Sequence, residues 1–168
     1  MMNYPDFRSY ERAFQLMAQV AGRAGRKNRQ GLVVLQTKSP DEPIIHQVVT
    51  NDYASLYKSQ MEERSLFRYP PFYRLVYVYL KHRKEDILEQ AATLMAGYLR
   101  NGMRERVLGP DKPPVARIQT LYIKKIVVKI EQTASLAKVR EYLLGVQQAI
   151  KEDERFRSLI VYYDVDPM

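Results

Sequence analysis

Tyr73-Arg74-Leu75-Val76-Tyr77-Val78-Tyr79-Leu80-Lys81-His82 is rich in valine, tyrosine and leucine and predicts a β-strand. What surrounds it decides the fold. Just upstream, Phe67-Arg68-Tyr69-Pro70-Pro71-Phe72 breaks a helical pattern, because each proline lacks an amide donor and biases its predecessor to extended backbone. A domain boundary is placed there. Downstream, 84–101 predicts a helix closed by Gly102, and 107–108 and 115–119 flank a proline-rich loop. Then follow a strand over 121–131, a helix over 135–151 and a last strand over 159–164. The order is β-α-β-β-α-β, the split β-α-β of a ferredoxin-like α+β sandwich, for residues 72–168.

Upstream of the boundary the pattern differs. Ser9 is a candidate N-cap, and Phe14, Leu16, Met17 and Val20 recur at helical spacing until Gly22 and Gly25 are expected to stop the helix. Beyond Arg26-Lys27-Asn28-Arg29-Gln30-Gly31 comes the apolar run Leu32-Val33-Val34-Leu35-Gln36-Thr37, which predicts a strand buried on both faces. Helix, loop and buried strand within residues 1–40 suggest the edge of an α/β domain too short to be complete. Residues 41–71 are expected to hold connecting helices, from about Ile44 to Val49 and from Asp52 to Ser65, and the proline-rich linker. Residues 1–66 are expected to be partly mobile, since a cut α/β lobe exposes its strand edge and apolar faces.

The chain has 168 residues, 46% hydrophobic and 27% charged, enough for one ordinary domain or a small domain with part of another. It has no cysteine, which excludes disulfides and thiolate zinc sites, and His46 and His82 lie far apart without ligand spacing. No metal site is expected in this chain. The absence of a long apolar run and of an apolar N-terminal signal argues for a cytoplasmic protein with no membrane partner. Formal charge is +8. Residues 1–66 contribute +2 and residues 67–168 contribute +6. Such an excess favours an anionic partner such as nucleic acid, although a basic surface also serves solubility.

The stretch that carries chemistry is Gln19-Val20-Ala21-Gly22-Arg23-Ala24-Gly25-Arg26. Two arginines three residues apart at a helix end project towards one target. An arginine fork of that kind stabilises the charge that spreads over the γ-phosphoryl oxygens in phosphoryl transfer. Gly22 and Gly25 let backbone approach a nucleotide, and Gln19 faces the same way one turn earlier. The plainer reading is a solvated Arg/Gly helix end favoured by the helix dipole.

This string resembles motif VI of superfamily 2 helicases and translocases. The resemblance implies that Arg23 and Arg26 are arginine fingers and that Gln19 and Gly22 contact ATP. The flanks narrow it. Pro5-Asp6-Phe7-Arg8, Glu11-Arg12-Ala13-Phe14-Gln15-Leu16, Tyr69-Pro70-Pro71-Phe72, Leu108-Gly109-Pro110 and Asp164-Val165-Asp166-Pro167 are similar to the PriA family of primosomal replication-restart helicases (primosomal protein N′). The family implies an ATP-dependent 3′-to-5′ DNA helicase that recognises stalled or abandoned forks and promotes primosome assembly. It further implies ATP and Mg²⁺ as cofactors, zinc on cysteines in the second motor lobe, and a C-terminal domain similar to a small ribosomal-subunit protein. Forked DNA, single-stranded-DNA-binding protein and other primosome proteins are the implied partners, in the bacterial cytoplasm at the nucleoid. The chain departs from the family pattern. It has no G-x-x-x-x-G-K-[ST] loop, acidic Mg²⁺ motif or cysteine, so it is expected to begin within the second, RecA-like motor lobe and to be inactive alone.

In the basic part, Lys124, Lys125 and Lys129 share one predicted strand, with Arg117 and Tyr122 before them and Lys112 in the proline-rich loop. Alternation points Lys125 and Lys129 to a solvated face and Ile126, Val128 and Ile130 to the core. The cations are candidate phosphate contacts and Tyr122 a candidate base-stacking residue, the alternative being a half-buried sheet with ordinary solvent-side lysines. Tyr77, Tyr79, Tyr162 and Tyr163 are assigned to sheet packing. The alternative function is a non-catalytic DNA- or protein-binding module.

Overall fold

Two units emerge from the computed structural model, Met1–Phe67 and Arg68–Met168, with residues 6–24 and 31–167 described. In the first unit Asp6 starts helix α1 (Ser9–Ala24): its carbonyl accepts the Ser9 amide at 3.0 Å, and its carboxylate accepts the Arg8 amide and pairs with Arg12. Ser9, expected as the cap, is instead the first helical residue and is buried. Helix α2 (Pro43–Val49) uses its proline where no helical amide partner is needed. Helix α3 (Tyr53–Leu66) is capped by Asp52, which accepts the Ser55 amide at 3.0 Å and the Ser55 hydroxyl at 2.6 Å. Those two hydrogen bonds hold the Asp52 carboxyl below its usual range. Ala13, Phe14, Ile44 and Leu56 form the small core where these helices meet. Arg64 of α3 clamps Glu11 of α1 at 2.7 Å.

Two expectations fail in this unit. Helix α1 passes through Gly22 to Ala24, because one glycine costs a helix only about 1 kcal/mol while its backbone bonds persist. The run Leu32–Thr37 is no strand, and Leu32 and Val34 are 87% and 81% exposed. A strand exists only by pairing, and among the described residues of this unit every regular element is a helix.

The second unit is an α/β domain on one antiparallel sheet. Its elements are β1 (Tyr73–His82), α4 (Glu85–Met103), β2 (Val107–Asp111), β3 (Arg117–Ile118), β4 (Leu121–Glu131), α5 (Leu136–Glu152) and β5 (Ile160–Val165). The strands lie in the order β2-β4-β1-β5, and the two-residue β3 pairs with the start of β4. Each long helix therefore links two strands separated by a third that runs antiparallel to both. Leu88, Ala92, Met95 and Leu99 recur along α4 at the three-to-four spacing that makes one apolar face. That face packs on Val76, Val78 and Leu80 of β1 and Ile126, Val128 and Ile130 of β4, with Leu143, Val146 and Ile150 of α5 completing the core. Burying one such side chain stabilises by about 1.5–3 kcal/mol.

Gly102 does not close α4 as expected. The helix continues to Met103, and Arg104 takes the left-handed turn position with φ 51°. Gly102 serves packing instead: a Cβ there would lie 2.5 Å from the ring of Tyr142, whose hydroxyl donates to the Tyr98 carbonyl at 2.6 Å. At the other side of the sheet's core, Tyr163 donates to the Leu143 carbonyl, and burial pushes its hydroxyl up to about 12.

Candidate nucleic-acid interface

Of the residues read as ATP-facing, Gln19, Gly22 and Arg23 lie on the last two turns of α1, and all three are exposed. Gln19 and Arg23 are four apart and so share a helix face. A Cβ on Gly22 would meet nothing within 4 Å, so packing within the described residues does not demand glycine there. Arg26, with Gly25 and the loop 27–30, lies outside the described residues.

In the second unit one end of the sheet is strongly basic, and the register explains why. Antiparallel pairing aligns Lys81 of β1 with Ile123 of β4 and Ile160 of β5, and Tyr79 with Lys125 and Tyr162. The C-terminal end of β1 thus meets the N-terminal ends of β4 and β5. Arg83 and Lys84 follow β1 directly, Arg117 stands on β3 opposite Tyr122, and Arg157 precedes β5. His82 fastens this end: its ring nitrogens lie 2.9 Å from the Ser158 hydroxyl and 3.0 Å from the Lys84 amide, which donates to it. Lys81, Arg83, Lys84, Arg117, Lys125 and Arg157 form no ion pair among the described residues, although the Arg117 charge reaches Glu85 and helps lower its pKa, and Asp111 stands opposite Lys125. Like charges held together and not tied into ion pairs raise the local potential, which an anionic polymer relieves.

The other expected contacts are engaged inside the domain. Lys124 shares the helix-side parity of Ile126 and Val128, and its Nζ sits 2.6 Å from Glu89 of α4. Lys112 pairs with Glu85 at 2.8 Å, a hydrogen bond that holds the Glu85 carboxyl below and the Lys112 amine above their usual values. Lys129 is buried with its Nζ 3.8 Å from the centre of the Tyr69 ring, and burial, helped by the nearby Arg68 charge, lowers its pKa. Tyr122 packs against the core beneath the Arg117 guanidinium, 4.8 Å from its ring centre.

Sequence reading missed the face opposite the helices. Tyr79 and Tyr162 stack there, their centroids 4.8 Å apart and their planes 12° from parallel, and Tyr77 meets Tyr79 edge-on at 6.2 Å. Lys81 Nζ lies 4.7 Å from the Tyr162 ring and Lys125 Nζ 4.5 Å from the Tyr77 ring. The alternating Tyr-Val-Tyr of β1 beside the Tyr162-Tyr163 pair was the available signal.

Residues 65–168 match the family model described as primosomal protein N C-terminal domain. The chain belongs to the PriA family. It is similar to the replication restart protein PriA of Bacillus subtilis, 34% identical over 99% of this chain and 20% of that protein. The Haemophilus influenzae PriA is 33% identical over 96% of the chain and 22% of its own length, and the Synechocystis PriA 31% identical over the whole chain and 20% of its own. The chain therefore spans about a fifth of the length of the curated PriA relatives it matches. The basic sheet end falls within the matched PriA domain. No helix among the described residues is long and apolar enough to cross a membrane.

Proposed function

We propose that this chain gives a PriA-type replication restart helicase two of its working surfaces, an arginine edge for ATP and a basic sheet end for DNA. The observation that carries the reading is the set of cations at one sheet end, Lys81, Arg83, Lys84, Arg117, Lys125 and Arg157, none of them in an ion pair among the described residues. Among the DNA contacts read from the sequence, Arg117 and Lys125 belong to this set. Lys112, Lys124, Lys129 and Tyr122 support it from inside the domain. Phosphates drawn to such a site release counterions, so affinity falls steeply with salt whatever the base sequence. The strand order of residues 68–168 supports kinship with ferredoxin-like and small ribosomal-protein-like sandwiches.

The first unit is read as the closing segment of a RecA-like motor lobe. Leu16, Met17 and Val20 of α1, Val33–Leu35 and Ile45 and Val48 of α2 line an open apolar groove of about 550 Å³, the kind of surface that the rest of a lobe would cover. ATP with Mg²⁺ would supply the phosphoryl group. Gln19 and Arg23, on one exposed face of α1, suit hydrogen bonding and charge neutralisation at its phosphates, and Arg26 is assigned the same role. The zinc implied by the family would sit outside this chain, which has no cysteine. In this reading the whole protein unwinds DNA 3′-to-5′ at abandoned forks in the bacterial cytoplasm and meets single-stranded-DNA-binding protein and primosome proteins there. Arg23→Ala in the full-length protein is expected to lower DNA-stimulated ATP hydrolysis about a thousandfold while leaving DNA affinity intact. Near-normal turnover would sink the arginine assignment.

A further inference from the structure

The exposed face of the sheet ends in a stacked pair of rings beside the unpaired cations. Tyr162, 39% exposed, lies on the edge strand β5 with Tyr79 stacked on it and the Lys81 ammonium over its ring. Arg83 and Arg157 flank that edge, one after β1 and the other before β5. Asp164, opposite Tyr77, is the next residue of β5 on the same face and bounds the site on that strand, while Asp111, opposite Lys125, lies towards the far edge; both repel a phosphate chain from the rest of the face. Charge therefore confines a polyanion to the Lys81 end, where the ring stack is.

We propose that Tyr162, stacked on Tyr79, is a base-stacking site for single-stranded DNA, with Lys81 as an exchangeable latch. The proposal rests on the DNA-binding reading above. A duplex offers phosphates but hides its base faces, whereas a single strand offers both, and a ring beside phosphate-binding cations uses both. Lys81 sits on the ring in the free protein. An exposed cation–π contact is worth only about 0.5–1 kcal/mol, so an arriving base displaces the ammonium at little cost. The flexible lysine then turns to the adjacent phosphate. Arg83 and Arg157, both at this end of the sheet, hold the neighbouring phosphates.

The test uses the 168-residue chain, a short fluorescein-labelled oligo(dT), an abasic oligonucleotide of the same length and fluorescence anisotropy at fixed salt. Wild type is expected to bind oligo(dT) more tightly than the abasic strand. Tyr162→Leu is expected to weaken oligo(dT) binding about tenfold and abasic binding less than about twofold, and Tyr162→Phe to keep both. Unchanged oligo(dT) binding by Tyr162→Leu would overturn the stacking site. Should that variant melt early, wild type is cross-linked to an oligonucleotide carrying 5-iododeoxyuridine. Adducts on Tyr162 support the site, and adducts found only elsewhere refute it. The double variant Arg83→Ala/Arg157→Ala separates the two readings. If it leaves abasic affinity and its salt slope unchanged, the basic sheet end itself fails; if it weakens both while Tyr162→Leu has no effect, only the stacking site fails.

Discussion

Lys124 shows how much the face of a strand matters to a single charge. It stands on the helix side of β4, its side chain 9% exposed, while its partner Glu89 keeps 52%. Removing Glu89 leaves a nearly buried ammonium unanswered, whereas replacing Lys124 with an apolar residue of similar length removes the problem along with the charge. Glu89→Ala is therefore expected to cost about 1–2 kcal/mol in urea denaturation, less than a fully buried pair because water reaches the carboxylate side. Lys124→Met should fall within about 1 kcal/mol of wild type and leave DNA affinity unchanged. A large loss of DNA affinity in Lys124→Met would return this lysine to the interface.

At the scale of elements, two glycines of α4 separate backbone propensity from packing. Gly97 is exposed and a Cβ there meets nothing within 4 Å, so Gly97→Ala is expected to stabilise by about 0.5–1 kcal/mol. Gly102→Ala gains the same propensity but drives Tyr142 off the Tyr98 carbonyl, and should fall short of Gly97→Ala by about 1 kcal/mol. In a Tyr142→Leu background that gap should close, which a double-mutant cycle by thermal or urea unfolding reads directly. The sequence showed that α4 exists but not where Gly102 falls in it, because the neighbour that needs glycine comes from another helix. Strand β4 was legible to its last residue, since a half-buried strand carries its own alternation. Leu32–Thr37 was misread because pairing partners are not written in a strand's own residues. Tyr162 and Tyr163 are identical letters on opposite faces, and only the side taken by α4 and α5 decides which is buried against Leu143 and which meets Lys81.

For the whole molecule, stability is unevenly shared. The second unit's core holds nineteen buried residues, the first unit's four, among the described residues. Opening free energies follow buried apolar contact, so amides in α1–α3 should exchange with deuterium well before those of β1, β4 and α4. Equal protection in both units would contradict this. The exposed run Leu32-Val33-Val34-Leu35-Gln36-Thr37 has a consequence for handling the chain. Six uncharged residues, three of them β-branched and none of them proline, suit self-stacking between molecules, and a net charge of +8 keeps molecules apart only while counterions are scarce. The same salt that loosens DNA from the basic sheet end should therefore bring the chain closer to fibrillar association, so colloidal lifetime and DNA affinity should decline together as ionic strength rises.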